Sequence, residues 1–394
     1  MPNPLFLNSL CFWLLAIQLP ATVILLSRLS KGAFRYPPLT PSQPTPSLLG
    51  TVSAIVPTLN EERRLGPCLA GLTKSSYEVQ EIIVVDSLSQ DGTQDIVKAT
   101  MPKDPRLRLL LYDPQRQNWV GPTGALHEAF LQSSPLSEWI LRLDADTFPD
   151  PGLAASLVET AIAEKYDLLS LAPQFILKYP GESWLHPAML ICLAYRSYPV
   201  GSQVNKPERA MGNGQCFLIR RSVLDELGGY AIVRRTFCED VKLARYAAQK
   251  GFKVGFLDGT KILKVRMYEG AIQTWQELKR NIALKDASTP LQMWTDVLFL
   301  LAVQGLPLIL ILLLLNWVRL GLASIAVIAT LSLNLLLMAV RVGMLWAILP
   351  SFDRTSVKAP WLFWLSPLAD PLVWWRVFSS AIAKPTQWRG RKYN

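Results

Sequence analysis

The sequence predicts an α/β fold: a largely parallel sheet covered by helices on both faces, flanked by apolar segments long enough to enter a membrane. Three observations carry this expectation. From residue 51 to about residue 290, strand-like apolar runs alternate with helical stretches, the pattern of βαβ units. Oily segments occupy residues 5–26 and most of 296–349. Acidic and turn-forming residues follow the strand ends, where open α/β sheets bind their ligands.

Composition agrees. Half of the 394 residues are hydrophobic and only 18% are charged, which is apolar for a soluble protein, while 51–290 reads like an ordinary globular domain. The net charge of +10 comes from 40 basic and 30 acidic side chains. Much of the excess lies beside apolar segments, as Arg28, Lys31 and Arg35 and as Lys384, Arg389, Arg391 and Lys392. That placement suits an anionic membrane surface. No nucleic-acid-binding signature accompanies it, so nucleic acid is not an expected partner. Five widely spaced cysteines with no CxxC exclude a complete disulfide framework and favour a reducing compartment. Two histidines are too few for a His-rich zinc site.

Leu5–Leu26 has the length of a spanning helix, which needs about 20 apolar residues. It lacks the basic leader and small-residue cleavage site of a signal peptide, and the basic residues after it put the next domain in the cytoplasm. Residues 36–50 hold five prolines and read as a stiff spacer. Strands are expected at Thr51–Pro57, Glu81–Asp86, Leu107–Tyr112 and Trp139–Leu143. Helices are expected at Glu61–Thr73, through Ile96–Ala99 and at 124–132.

Asp296–Asn316 and Leu320–Val340 read as a membrane hairpin; with two or three spans in all and no charge network among the apolar segments, a transporter is not expected. The aromatic stretch 359–380, with Pro360, Pro367 and Pro371, is expected to be interfacial or re-entrant. The expected division is an anchor at 1–30, a linker at 31–50, a catalytic domain at 51–290, a hairpin at 291–349, and an aromatic segment with a basic cytoplasmic tail at 350–394.

The central chemical clue is Asp144-Ala-Asp146 at the end of WILRLDAD. A diphosphate is a hard, highly charged ligand, suited by a divalent cation held on one or two carboxylates. The bland alternative is a solvated turn that caps the next helix. AIVPTLNEE and EIIVVDSLSQDGT each run a strand into a polar turn. Glu61 and Asp86 are candidates to accept hydrogen bonds from ribose hydroxyls or a base edge, whereas Glu62 reads as a helix-start charge.

Cys238-Glu239-Asp240 opens a helix. Asp240 is the candidate general base that would take a proton from an acceptor hydroxyl; helix-dipole stabilisation is the alternative. In GNGQCFLIRR, Gly212 and Gly214 permit close backbone approach to a ligand, or simply form a bulged turn, with Gln215 beside them. Lys279 and Arg280, on an amphipathic helix, are in reach of a diphosphate or merely face a membrane.

In this order, AIVPTLNEE, EIIVVDSLSQDGT, LDAD, GNGQCFLIRR and CED resemble the inverting family 2 glycosyltransferases of GT-A fold, over roughly residues 50–285. The resemblance implies a nucleotide-sugar donor and Mg2+ or Mn2+. It implies that Pro57, Thr58, Glu61 and Asp86 contact the nucleoside, that Asp144 and Asp146 serve donor and metal, and that Asp240 is the base. Possible diphosphate or acceptor contacts are Gly212, Gly214, Gln215, Glu239, Lys279 and Arg280.

Two departures stand out. The family's G-K-x-x-A-L element appears as Gly121-Pro122-Thr123-Gly124-Ala125-Leu126, without its lysine, and no Q-x-x-R-W occurs in 270–285. The second departure argues for transfer of a single sugar. PLADPLVWWRVFSS and KPTQWRGRKY resemble the membrane-bound subgroup that glycosylates carotenoids or hopanoid-type lipids. That implies a membrane lipid acceptor, with a myxol-type carotenoid expected, in a plasma or thylakoid membrane. A ceramide, sterol or polyprenyl phosphate acceptor and an inactive membrane scaffold are the rivals.

Overall fold

The computed structural model describes residues 4–113, 119–204, 206–283, 285–383, 387–388 and 391–392. An N-terminal helix, α1 (Pro4–Ser30), precedes the first strand. The α/β unit covers Phe34–Ile176 and Val200–Met267. In it β1 (Val52–Thr58), α2 (Leu65–Leu72), β2 (Val79–Asp86), α3 (Thr93–Thr100) and β3 (Leu107–Leu111) alternate, followed by α4 (Thr123–Leu131) and β4 (Trp139–Leu143). Next come β5 (Thr147–Pro149), α5 (Leu153–Ala163), β6 (Leu168–Ala172) and β7 (Gln174–Ile176). After the interruption at 177–199 the unit continues with β8 (Cys216–Arg220), α7 (Arg221–Glu226), α8 (Glu239–Gln249), β9 (Val254–Asp258) and β10 (Leu263–Val265).

Seven strands form the main sheet in the order β3-β2-β1-β4-β8-β6-β9. Only β8 runs antiparallel to its neighbours; the other pairs are parallel. β1 is buried along its whole length, the signature of a strand covered on both faces. Val52, Ala54 and Val56 pack with α2, α3 and α5 residues on one face. Ile55 joins Ile83, Val85 and residues of α4, α7 and α8 on the other. A smaller sheet pairs β10 antiparallel with β5 and parallel with β7, and so fixes the chain just beyond Asp146.

The proline-rich segment is more than a spacer. Leu39 and Leu48 are part of the core, Tyr36 N–H donates to Gly201 O and Leu39 N–H to Asp258 O, each at 2.8 Å, and Ser42 bonds Glu159. The prolines disfavour a long helix, while Leu39 among them and Leu48, at the end of the short 3₁₀ turn Pro46–Leu48, give the chain apolar anchors, so it straps onto the unit.

The helical unit takes the residues up to Ala33, Leu177–Pro199 and Tyr268–Lys384, so 177–199, expected inside the catalytic domain, belongs here. With α1 it holds α6 (Pro180–Arg196), α9 (Gly270–Asn281), α10 (Pro290–Leu300), α11 (Pro307–Arg319), α12 (Ile325–Ile348) and α13 (Asp370–Ile382). Leu5–Phe34 and Ile325–Ser351 are long and apolar enough to cross a membrane. The expected span at 296–316 falls in α10 and α11, which are bent by 48° around a π-helical turn, Leu301–Gly305. Pro307 cannot donate a backbone hydrogen bond, which allows that break. The stretch 359–380 is two 3₁₀ turns followed by α13, whose 13 residues fall short of a span.

Polar groups join these helices. Gln18 and Asn334 exchange side-chain hydrogen bonds of 3.0 and 2.9 Å. Arg341, 2% exposed, grips Asp370 through bonds of 2.7 and 3.0 Å, and Gln304 of the π turn donates to the same carboxylate at 2.9 Å. The expectation of no charge network among the apolar segments is therefore corrected. α12 runs eight residues past Val340, far enough to bring Arg341 into the helical interior opposite Asp370. Breaking a buried pair strands a charge at a cost of about 3–5 kcal/mol, while replacing both partners by apolar groups is often neutral. Arg341→Met is accordingly expected to lower the unfolding temperature of the detergent-solubilised chain, and Arg341→Met/Asp370→Leu to recover most of the loss.

Candidate active site

The first station is the pair of loops beyond β1 and β2. Thr58 lies opposite Asp86 in register, and Pro57, buried, lies opposite Val85. The Asp86 carboxylate accepts from Thr58 Oγ1 at 3.0 Å, Ser89 N–H at 2.9 Å, Ser89 Oγ at 2.5 Å and Gln94 Nε2 at 2.9 Å. Four donors match the roughly four acceptor positions of a carboxylate, so Asp86 serves first to shape its own loop. Asn60 and Leu88 adopt left-handed backbone with φ of 55° and 59°. Asn60 ties the loops together through Ser89 and Gln90, each at 2.9 Å. Glu61 is buried, ion-paired with Arg64 at 3.0 Å, and its N–H donates to Thr93 Oγ1 at 2.8 Å.

The second station is the turn after β4. Asp144 O accepts from Thr147 Oγ1 at 2.7 Å, and Asp146 O accepts from Arg266 N–H at 3.1 Å, which clamps the turn between β4 and β5. The Asp144 side chain is 34% exposed, whereas Asp146 is 5% exposed. Among the described residues no group of three or more His, Cys, Asp or Glu is arranged to hold a metal. Two carboxylates on one rigid turn, one of them open to solvent, nevertheless fit a cation shared with substrate phosphates rather than caged by protein alone.

The third station joins β4, the turn before β8 and the start of α8. Arg142, 3% exposed, reaches Asp144 Oδ1 at 3.2 Å and Glu239 Oε1 at 2.8 Å through one nitrogen, Nη2. Burial works against the guanidinium's charge, but Asp144, Glu239 and Asp240 outweigh it and raise its pKa. Burial pushes the Glu239 carboxyl up to about 7, opposed by Arg142 and reinforced by Asp240. Asp240 is likewise raised by burial and by Asp144, against the pull of Arg142 and two backbone amides. Those amides are Gly214 N–H on Oδ2 and Val241 N–H on Oδ1, both at 2.8 Å. A carboxylate so held is oriented, and its raised pKa makes it a better proton acceptor than a solvated aspartate.

The two glycines owe their identity to this packing. A Cβ on Gly214 would stand 2.5 Å from Arg142 Nη2, and one on Gly212 would stand 2.8 Å from the Phe217 ring and 2.9 Å from Asp240 O. The close approach is thus to the protein's own site residues. Gln215 Oε1 accepts from Asn213 Nδ2 at 3.0 Å, and Gln215 O accepts from Asp144 N–H at 3.4 Å.

Asp144, Glu239, Asp240, Gly212, Gly214 and Gln215 are therefore brought together, with Asp146 on the same turn as Asp144. Pro57, Thr58, Glu61 and Asp86 form the separate loop station. Glu239, expected at a diphosphate or acceptor, turns inward onto Arg142. The side chains of Lys279 and Arg280 lie outside the described residues. In the element lacking the family's lysine, Gly121 takes φ 62° and Val120 N–H donates to Arg234 O at 2.8 Å, four residues before Cys238. Arg142 escaped the sequence reading; its signal was an arginine inside the otherwise apolar strand WILRL.

Gly214→Ala is expected to destabilise the fold by about 1–3 kcal/mol through overpacking. Gly66, in α2 with open space around it, is the control: Gly66→Ala is expected to be neutral or stabilising by up to about 1 kcal/mol. Thermal unfolding of the two variants checks both signs.

Residues 53–228 match the family model described as glycosyl transferase family 2. Glycosyltransferase AglE of Haloferax volcanii is 31% identical over 106 residues, which cover 24% of this chain and 35% of that protein. The 4,4'-diaponeurosporenoate glycosyltransferase of Staphylococcus haemolyticus is 24% identical over 243 residues, covering 61% of this chain and 63% of that one. The chain thus spans less than two thirds of either relative. A solved structure of the mannosyltransferase PcManGT from Pyrobaculum calidifontis, in complex with GDP-Man and Mn2+, shares the fold with a TM-score of 0.53. The likeness covers 95% of this chain and 98% of that chain at 18% identity. The strand order and the shared fold agree with that match: residues 53–228 resemble a glycosyl transferase family 2 domain, on a GT-A-like α/β fold.

Proposed function

We propose that the chain transfers a single sugar, with inversion, from a nucleotide-sugar donor to a hydroxyl of a membrane lipid. The observation that carries this is the orientation of Asp240. Its carboxylate is fixed by two backbone amides, and its chain neighbour Glu239 bonds Arg142, which also bonds the half-buried Asp144, so a base and a donor-side acid belong to one construction. Asp240 takes the proton of the acceptor hydroxyl as that oxygen attacks the anomeric carbon, and the bond to the diphosphate breaks. One base suffices for such a displacement. Asp144 and Asp146 would hold a divalent cation, which when bound neutralises the departing diphosphate. Glu61, Thr58, Pro57 and Asp86 shape the loops assigned to the nucleoside.

The lipid acceptor rests on a different feature. Two helices long and apolar enough to span confine the catalytic domain to a membrane, which favours an acceptor dissolved there, with the domain on the cytoplasmic face. Within lipids, a carotenoid is preferred, with the 2'-hydroxyl of a myxol-type xanthophyll as the specific assignment. The relative named for 4,4'-diaponeurosporenoate supports that class; hopanoids, ceramides, sterols and polyprenyl phosphates are the competing acceptors.

Membranes containing the chain, supplied with labelled nucleotide sugars and a panel of lipid acceptors, are expected to glycosylate a carotenoid. Asp240→Asn should lower the rate by about 100-fold or more, and Asp146→Asn should do the same. Unchanged transfer in both would remove Asp240 and Asp146 from the reaction, and no transfer to any acceptor would leave only a scaffold role. Transfer to another lipid alone would remove the carotenoid and keep the reaction class. Removing divalent cations with EDTA is expected to stop transfer, and adding Mn2+ or Mg2+ to restore it.

A further inference from the structure

We propose that Arg142 is a positioning residue for the glycosyl transfer inferred above, on which this inference rests. Its buried guanidinium sets the spacing between the donor-side Asp144 and the base Asp240. Along β4, Trp139, Leu141 and Leu143 enter one core layer and Ile140 enters the other. Strand alternation puts Arg142 on the same side as Ile140. An apolar residue there would pack against Phe217, Leu243 and Ala244 of that layer without the several kcal/mol that burying a charge costs. A central strand that carries arginine instead has a use for it.

The geometry states the use. One nitrogen, Nη2, bonds a carboxylate on the β4 turn and a carboxylate on the first turn of α8. Glu239 is covalently adjacent to Asp240, so the second bond fixes the start of the helix that carries the base. Gly214 lies between: a side chain there would collide with Arg142, and its N–H orients Asp240 Oδ2. Asp144, Arg142, Gly214, Glu239 and Asp240 therefore form one continuous brace across three segments of chain. Neither Arg142 nor Glu239 is exposed, so both act through the residues they hold. A lysine carries its charge on an ammonium rather than on a guanidinium, so its nitrogen does not stand where Nη2 stands and the two bonds are not kept in the same place.

The test compares Arg142→Lys, Glu239→Gln, Asp146→Asn and Asp240→Asn in the full chain, solubilised in detergent. Transfer kinetics are measured alongside equilibrium binding of UDP and GDP with Mn2+. For Arg142→Lys and Glu239→Gln the expected result is a kcat about 10- to 100-fold lower, since small misplacements of reacting groups cost that much. The donor KM and the affinity for the preferred nucleotide should change less than threefold. Glu239→Gln keeps a carbonyl oxygen for Nη2 and decides the matter if Arg142→Lys fails to fold. Normal kcat in folded variants overturns the inference, as does failure of both to fold, which would make the brace merely structural. Full transfer by Asp146→Asn and Asp240→Asn would instead overturn the roles given to those two residues, and no transfer by the unaltered chain would overturn the glycosyl-transfer reading itself.

Discussion

Taking a guanidinium out of water costs several kcal/mol unless its partners replace the lost solvation, and much of the α/β unit's upper edge answers to that requirement at Arg142. The arginine needs carboxylates, which come from the β4 turn and from the start of α8. It needs room, which Gly214 provides by lacking a Cβ. Gly214 in turn gives its amide to Asp240, and burial among these charges lifts the carboxyls of Glu239 and Asp240 above their ordinary range. Glycine choice and acid placement thus follow from one buried cation, while the raised proton affinity comes from burial against that cation's pull.

The helical unit solves a related problem differently. Its outward faces present large apolar side chains such as Phe12, Trp13 and Val23, while its inner contacts use Gln18, Asn334, Gln304, Arg341 and Asp370. Where surrounding lipid is as apolar as leucine, hydrophobic burial does not choose one helix neighbour over another, and polar pairs give helices specific partners. The bend between α10 and α11 belongs to the same arrangement, since the π turn before Pro307 brings Gln304 to Asp370.

Much of the site was readable from residue order. The strand-end position of Asp144 and Asp146 followed from an apolar run that stops at Leu143, and the helix start at Glu239 and Asp240 followed from the periodicity of EDVKLARYAAQ. Other features were not. Asp86 reads as a ligand contact until its four local donors are seen. Gly212 and Gly214 read equally as a ligand approach or a bulge, because nothing local reveals which side chain they face. The proline-rich segment reads as a linker because its two anchoring leucines find their partners far along the chain.

The α/β class, the order of the acidic stations and the presence of span-length apolar helices are legible in residue order, because each is written in local periodicity. That Arg142 joins the β4 turn to α8, that Glu239 faces inward and that Arg341 finds Asp370 emerge only once the chain is folded. Those pairings link residues 97 and 29 positions apart. Local propensity carries no information about a partner at that distance; packing alone selects it.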